Sequence, residues 1–259
     1  MSPGRWAFAP TDESRAFGKR IKQLVAKHWK APSFYFHLRA GGHLAAVRRH
    51  ASSSFFVHAD IADFFGQVNR SRVTRCLKTW LSYKDARTMA SESVVKRPGF
   101  EGFVLPYGFV QSPILASLAL DRSKLGPYLR KLDGRSDLSL SLYVDDILIS
   151  GHDEQELLRI ASELEDVAGA AGFPLSAAKK QGPAPQVTTF NLELSRGSLR
   201  VTGRRLAQFR DAYRAASSNH SRAGILGYLQ TVNPQQAYEL TGDGDEDEHR
   251  STSPFLIQK

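Results

Sequence analysis

Asp137-Leu138-Ser139-Leu140-Ser141-Leu142-Tyr143-Val144-Asp145-Asp146-Ile147-Leu148-Ile149-Ser150-Gly151 is the stretch that decides the fold. Leu138, Leu140, Leu142 and Val144 alternate with Ser139, Ser141, Tyr143 and Asp145, and the apolar triplet Ile147-Leu148-Ile149 follows. Period-two alternation broken once reads as strand, turn, strand. The leucines are expected on the buried face, Tyr143 and Asp145 on the open face, and Asp146 in the turn. Two carboxylates are thus presented at a hairpin tip.

Working outward, Phe55-Phe56-Val57-His58-Ala59-Asp60-Ile61 is rich in strand formers and places Asp60 at a strand end, with a helical pattern from Arg70 to Leu81. Ser112-Pro113 opens a helix expected to run to about Leu132 with a break at Gly126-Pro127. Asp153 and Glu156 form a capping box ahead of an apolar stripe, Leu157, Ala161, Leu164 and Ala168, that ends at Gly172. Val187 to Leu194 and Ser198 to Thr202 read as two short strands, and a basic helix follows from Gly203 to about Ala216. The order β, α, β, β, α, β from Phe55 to Leu194 is a split βαβ arrangement, an α+β fold of ferredoxin or RRM type. In such a sheet the first strand and the hairpin are central neighbours, so Asp60, Asp145 and Asp146 converge. Three hard oxygen donors suit Mg²⁺, and two such ions clamp the attacking and leaving oxygens of an in-line phosphoryl displacement. Nucleotidyl transfer is the matching reaction class.

Composition agrees with a polyanion partner. The 259 residues carry a net charge of +9, with 41% hydrophobic and 24% charged residues, an ordinary globular balance large enough for a core without staples. Residues 1–59 hold ten Lys and Arg against two acids, while the last seventeen hold five acids against two bases. Ala16 to Trp29 reads as a basic amphipathic helix able to meet phosphate. Cys76 is the one cysteine, which excludes an intrachain disulfide and a cysteine-based zinc site and points to a reducing, cytoplasmic compartment. Met1 to Trp6 lacks the apolar run of a secretory signal, and no uncharged stretch of about 18 apolar residues exists, so no membrane association is expected.

Four blocks, in order, resemble the reverse transcriptase family. Asp60-Ile61-Ala62-Asp63-Phe64-Phe65 is similar to its first catalytic aspartate block, and Leu105-Pro106-Tyr107-Gly108-Phe109-Val110-Gln111-Ser112-Pro113 to its Leu-Pro-x-Gly-x-x-x-Ser-Pro template and nucleotide block. Tyr143-Val144-Asp145-Asp146 resembles its Tyr-x-Asp-Asp hairpin, and Gly172-Phe173-Pro174-Leu175-Ser176-Ala177-Ala178-Lys179 the glycine-to-lysine segment after the palm helix. Thr189-Phe190-Asn191-Leu192-Glu193-Leu194 stands where the primer-grip hairpin is expected. The blocks span residues 60–194, about half the chain.

The resemblance implies a right-hand polymerase palm with small helical fingers and a short helical thumb. Residues 1–59 would be a basic fingers segment, 60–203 the palm with a fingers insertion at about 70–104, 204–241 the thumb and 242–259 an acidic mobile tail. It implies Asp60, Asp145 and Asp146 as metal-binding catalytic carboxylates for two Mg²⁺ ions, with the Ile61 carbonyl as a further ligand. Lys179 falls where a cation would meet the departing pyrophosphate. Phe65 falls at the aromatic steric gate, Tyr107, Gly108 and Gln111 near the incoming nucleotide, and Arg39, Arg48 and Arg49 where the triphosphate is contacted. Arg204, Arg205, Arg210 and Arg214 would follow the duplex backbone. Many members have glutamine where Tyr107 stands and a small residue where Gln111 stands, and the primer-grip segment here lacks the usual Leu-Gly.

The function so implied is RNA-directed DNA synthesis from dNTPs on an RNA template with a DNA or RNA primer, in a compact bacterial enzyme of retron-like or phage-defence type. A structured non-coding RNA, a protein partner or self-association could complete the cleft. Two alternatives stand beside it: template-independent or protein- or RNA-primed synthesis at the same site, motivated by Tyr107 and Gln111, and a catalytically idle nucleic-acid-binding subunit.

Overall fold

The computed structural model describes residues 7–99 and 101–250, with side chains up to residue 242. The chain begins with α1 (Asp12–His28), α2 (Gly42–Arg48), β1 (Phe55–Asp60), α3 (Arg70–Leu77), α4 (Tyr83–Ser93) and the small hairpin β2 (Val95–Lys96) and β3 (Phe103–Val104). It continues through α5 (Ser112–Asp121), α6 (Leu125–Asp133), β4 (Ser139–Tyr143), β5 (Asp146–Gly151) and α7 (Glu154–Ala170). It ends with β6 (Gln181–Ala184), β7 (Gln186–Thr189), β8 (Leu192–Ser195), β9 (Ser198–Val201), α8 (Gly203–Ala215), α9 (Asn219–Val232) and α10 (Pro234–Arg250).

The central sheet has the order β4-β5-β1-β6, every neighbouring pair antiparallel, which is the split βαβ topology read from the sequence. β1 and β5 pair without interruption from Phe55↔Gly151 to Asp60↔Asp146. Strand alternation then gives the sheet two different faces. Val57, Ala59, Leu140, Leu142, Ile147 and Ile149 join the main core formed with α3, α5, α6 and α7. Phe56 and Leu148 face the other way, into a second core with Val47, Leu192, Val201 and Leu229. Because Phe56, His58 and Asp60 share a face, the catalytic carboxylate candidates project away from the helical layer.

That second face also buries a polar chain. His50, with no solvent exposure, bonds Ser150 Oγ through Nδ1 at 2.7 Å and Ser141 Oγ through Nε2 at 2.8 Å, and Ser150 Oγ donates to Ser53 Oγ at 2.8 Å. Ser141 and Ser150, the polar members of the alternating strands, are therefore satisfied below the sheet rather than solvated.

Four sequence expectations need correction. The hairpin turn is Val144-Asp145, with Tyr143 paired to Asp146, so Asp146 opens β5 instead of sitting in the turn. The two helices after Ser112 part at Arg122–Lys124, where Ser123 Oγ accepts the Leu125 N–H, and Gly126-Pro127 lies inside the first turn of α6. Proline is tolerated there because its missing N–H has no helical partner to lose. The fourth palm strand is β6, not Val187–Leu194; Gly182 fits because a Cβ there would lie 2.0 Å from Phe56 O, with φ at +81°. Val187–Leu194 is instead a hairpin, β7 and β8, turning at Phe190-Asn191 with φ of 52° and 61°, and β9 completes a separate three-stranded sheet. α10 carries helical backbone through the acidic tract to Arg250, and residues 251–259 of the expected tail lie outside the described residues.

Candidate active site

β1 delivers Asp60 at its last position, and the ladder does not stop there, because Ile61 N donates to Asp145 O at 2.9 Å. This one bond draws the hairpin turn onto the end of β1. As a result Asp60, Asp145 and Asp146 each offer a carboxylate oxygen within 4.8 Å of the others. Asp60 is buried at 4% exposure, whereas Asp145 and Asp146 are half-buried. Carboxylates held this closely repel one another unless a cation lies among them, and an all-oxygen donor set fits Mg²⁺ better than a softer metal.

Two side chains already meet this charge. Lys179 Nζ lies 2.6 Å from Asp60 Oδ2, and His58 Nε2 lies 2.8 Å from Asp146 Oδ1. The Lys179 side chain is half exposed, so it can leave Asp60 for solvent or for an anion. Neighbouring Lys180 points away and pairs with Glu165 at 2.6 Å. His58, two positions before Asp60 on the same face of β1, is held from behind by Gln181 Nε2 at 3.4 Å from its Nδ1.

The turn itself is strained. Val144 has φ +59°, a left-handed conformation that costs a β-branched residue on the order of 1–3 kcal/mol. Its N–H is taken by His37 Nδ1 at 2.9 Å, and His37 Nε2 donates to Ser117 Oγ at 2.8 Å, which donates in turn to Pro113 O at 2.8 Å. Burial pushes the His37 pKa down to about 4, so the ring stays neutral and keeps a lone pair for Val144. His37 thereby ties the hairpin to α5. His37→Ala is expected to lower kcat roughly ten- to a hundredfold through misplaced carboxylates and to lower Tm by several degrees, because the Val144 N–H loses its partner and a void is left; steady-state incorporation by the folded variant checks it, and an unchanged kcat would show that other contacts hold the turn. A single histidine 107 residues upstream of Val144 carries no sequence signal for this role.

Around the triad, the nucleotide candidates fall into two groups. Phe65, 6% exposed, packs edge-on against Tyr107 with ring centroids 4.8 Å apart, and both it and Phe64 beside it belong to the main core. Gly108 has φ +98°, and a Cβ there would meet Phe8 O at 2.4 Å; the same loop accepts Phe8 N–H at Tyr107 O. Asp63 and Arg97 form an ion pair beside Tyr107.

The others are placed elsewhere. Gln111 has no exposure, and its amide packs against Gly18 of α1 with neither oxygen nor nitrogen bonded. Arg48 is bonded to Thr231 O at the end of α9, Arg49 pairs with Asp133 at 2.7 Å, and Arg39 bonds Ser33 O at 2.7 Å. Each of these arginines is thus engaged with another part of the fold.

On the other side of the hairpin, Phe190 packs edge-on to Tyr143 at 5.2 Å. Between this turn and α8 and α9 lies a pocket of about 510 Å³ lined by His43, Tyr143, Phe190, Arg205, Phe209 and Tyr228. Arg205 lies over the Phe209 ring at 4.4 Å and is the one of the four α8 arginines that lines this pocket. Arg204 and Arg214 are exposed on the same helix and Arg210 is half-buried. Among the described residues no helix is long and apolar enough to cross a membrane.

Comparison with known proteins bears on the whole arrangement. A comparison with curated protein sequences found no match. Among solved structures, a foamy viral protease-reverse transcriptase in complex with an RNA/DNA hybrid is 19% identical, covering 71% of this chain and 22% of that one with a TM-score of 0.46. Telomerase from Candida albicans in complex with a TWJ fragment of telomeric RNA is 9% identical, covering 91% of this chain and 44% of that one with a TM-score of 0.45. The chain spans less than half the length of either. The family model described as reverse transcriptase (RNA-dependent DNA polymerase) matches residues 7–194, from the strand-like contact of Ala7 with Tyr107 to the end of the β7–β8 hairpin, and with most of its length so matched this chain belongs to that family.

Proposed function

We propose that this chain is an RNA-directed DNA polymerase that adds deoxynucleotides to a 3′-hydroxyl on an RNA template. The observation that carries the reading is the convergence of Asp60, Asp145 and Asp146 with Lys179 at one end of the palm sheet. Two Mg²⁺ ions, held by these carboxylates and the Ile61 carbonyl, would supply charge stabilisation for the attacking and leaving oxygens. In the reaction the 3′-oxygen bonds to the α-phosphorus, the bond to the bridging oxygen breaks, and pyrophosphate leaves. The hydroxyl proton goes to solvent, and Lys179, released from Asp60, gives a proton or its positive charge to the pyrophosphate.

The edge-on contact of Phe65 with Tyr107 supports a sugar gate in which the ring leaves no room for a 2′-hydroxyl. Phe65→Ala is expected to raise the kcat/KM ratio of rNTP over dNTP by roughly ten- to a hundredfold. Unchanged sugar selectivity in a folded variant sinks the gate. Tyr107 stands where an amide is usual in this family, and Gln111 where a small residue is usual, and these departures motivate a second reading in which the template requirement is relaxed. Purified protein given Mg²⁺ and labelled dNTPs, with and without poly(rA)/oligo(dT), separates the two. Product that needs the template supports the first reading, and homopolymer or simple-repeat product without it supports the second. The idle-subunit alternative is disfavoured by the retention of all three acids at a cleft meant for phosphate. Placement among compact bacterial enzymes of retron-like or antiviral-defence type rests on the motif resemblance, and phage protection by the chain that is lost in Asp145→Asn is its test.

A further inference from the structure

The helical side of the palm, opposite the carboxylates, holds a concentration of positive charge that the polymerase reading does not use. A pocket of about 450 Å³ lies between α3, the end of α5 and the end of α7, lined by the cations Arg72, Arg75, Arg122 and Lys124, and no acid lines it. Arg75 also lines an adjoining pocket of about 170 Å³ with Lys78, Tyr83 and Arg87, so the two form one continuous surface. Several arginines elsewhere do have acidic partners: Arg130 with Asp121, Arg135 with Asp137 and Glu156, Arg159 with Glu156 and Glu163. None of the six cations here has a carboxylate partner among the described residues.

Two further features distinguish this surface from an ordinary solvated one. Arg72 is anchored, with Nη2 donating to Ala171 O at 2.9 Å and its guanidinium 4.6 Å over the Phe173 ring, yet its buried Nη1 has no hydrogen-bond partner. Arg122 is anchored likewise, bonding Cys76 O at 2.6 Å and Thr79 Oγ1 at 2.7 Å and lying 4.5 Å over the Trp80 ring. Preorganised guanidinium groups with unfilled donors are the chemistry of phosphate recognition. Beside them Tyr83 is 68% exposed at the first position of α4, a ring with one open face. Cations that track phosphates next to an exposed aromatic on which a base can stack are the means by which proteins hold single strands.

We infer that the α3–α4 surface is a second nucleic-acid site that binds a single-stranded phosphodiester segment, its phosphates on Arg72, Arg75 and Lys124 and a base on Tyr83. It lies outside the cleft and depends neither on metal nor on dNTPs. The test is fluorescence anisotropy of a labelled 20-nucleotide single strand, as RNA and as DNA, titrated with whole protein. Titrations are run with and without a saturating hairpin primer–template that occupies the cleft, and failure of the hairpin to bind leaves the plain titration readable. The variants are Arg75→Glu/Lys78→Glu/Lys124→Glu, all exposed positions, and Tyr83→Ala.

The charge reversal is expected to weaken binding at least about tenfold and to lower the salt slope by about 2, the value for three lost phosphate contacts on a single strand. Tyr83→Ala should weaken it about tenfold with the salt slope unchanged. Primer extension on a short template confined to the cleft should keep its rate in both variants. Binding that persists with the cleft occupied and weakens in both variants supports the site, and a difference in affinity between RNA and DNA identifies the strand it prefers. Unchanged affinity and slope in the folded charge-reversal variant overturns it, as does competition by inorganic pyrophosphate together with indifference to Tyr83→Ala.

Discussion

Asp145→Asn and Asp60→Asn are each expected to reduce dNTP incorporation by about a thousandfold or more while leaving the protein folded. The magnitude follows from removing one preorganised charge from a site where catalysis is chiefly electrostatic. The folded state should tolerate the change because three carboxylate oxygens within 4.8 Å repel one another, so neutralising one relieves repulsion in the metal-free protein. For Asp60→Asn the freed Lys179 is half exposed and can be solvated. Thermal unfolding of both variants should therefore begin no lower than in the parent. Incorporation at the parental rate by either folded variant would show that these carboxylates do not carry the chemistry.

A comparably large effect is expected from acid. Burial, with Arg49 adding to it, pushes the His50 pKa down to about 3, and burial pushes that of His37 down to about 4. Both lie below the value of about 6.5 in an unfolded chain. Between those values the unfolded chain binds more protons than the folded one, so stability is full above about pH 6.5 and falls as the pH drops toward 4. Together the two rings account for roughly 6 kcal/mol at most between pH 7.5 and pH 4, comparable to the whole stability of an ordinary domain. Urea unfolding at pH 7.5 and 4 should show this loss, and His50→Gln should flatten the pH slope by about one proton. Equal stability of the parent at both pH values would contradict a neutral, buried His50.

The parts of this protein that were legible in its sequence are those where one physical signal dominates. The alternation around Leu138–Val144 and the Asp153 cap with its apolar stripe follow from burial periodicity and local hydrogen bonding, and both appear as β4, β5 and α7. The meeting of Asp60 with Asp145 and Asp146 followed from topology, which a split βαβ sheet leaves little choice about. What escaped was decided by contacts distant in sequence or by turns without glycine. The turns at Val144-Asp145 and Phe190-Asn191 use left-handed non-glycine residues, Val144 in the first and both residues in the second, that a search for glycine passes over. β6 carries Gly182-Pro183 against every strand preference, because an edge strand close to Phe56 O has room for no side chain. His37, His50 and His58 stand alone in the sequence, and only the fold gives them Val144, Ser141 and Ser150, and Asp146. Arg48 and Arg49 were legible as basic residues but not as the anchors of α9 and Asp133.

Extension of oligo(dT) on poly(rA) by the purified chain, with Mg²⁺ and labelled dTTP and with Asp145→Asn alongside, tests the central claim most directly. A ladder of extended primer that requires poly(rA) and disappears in the variant is the predicted result. Extension that persists undiminished in a folded Asp145→Asn protein would contradict it.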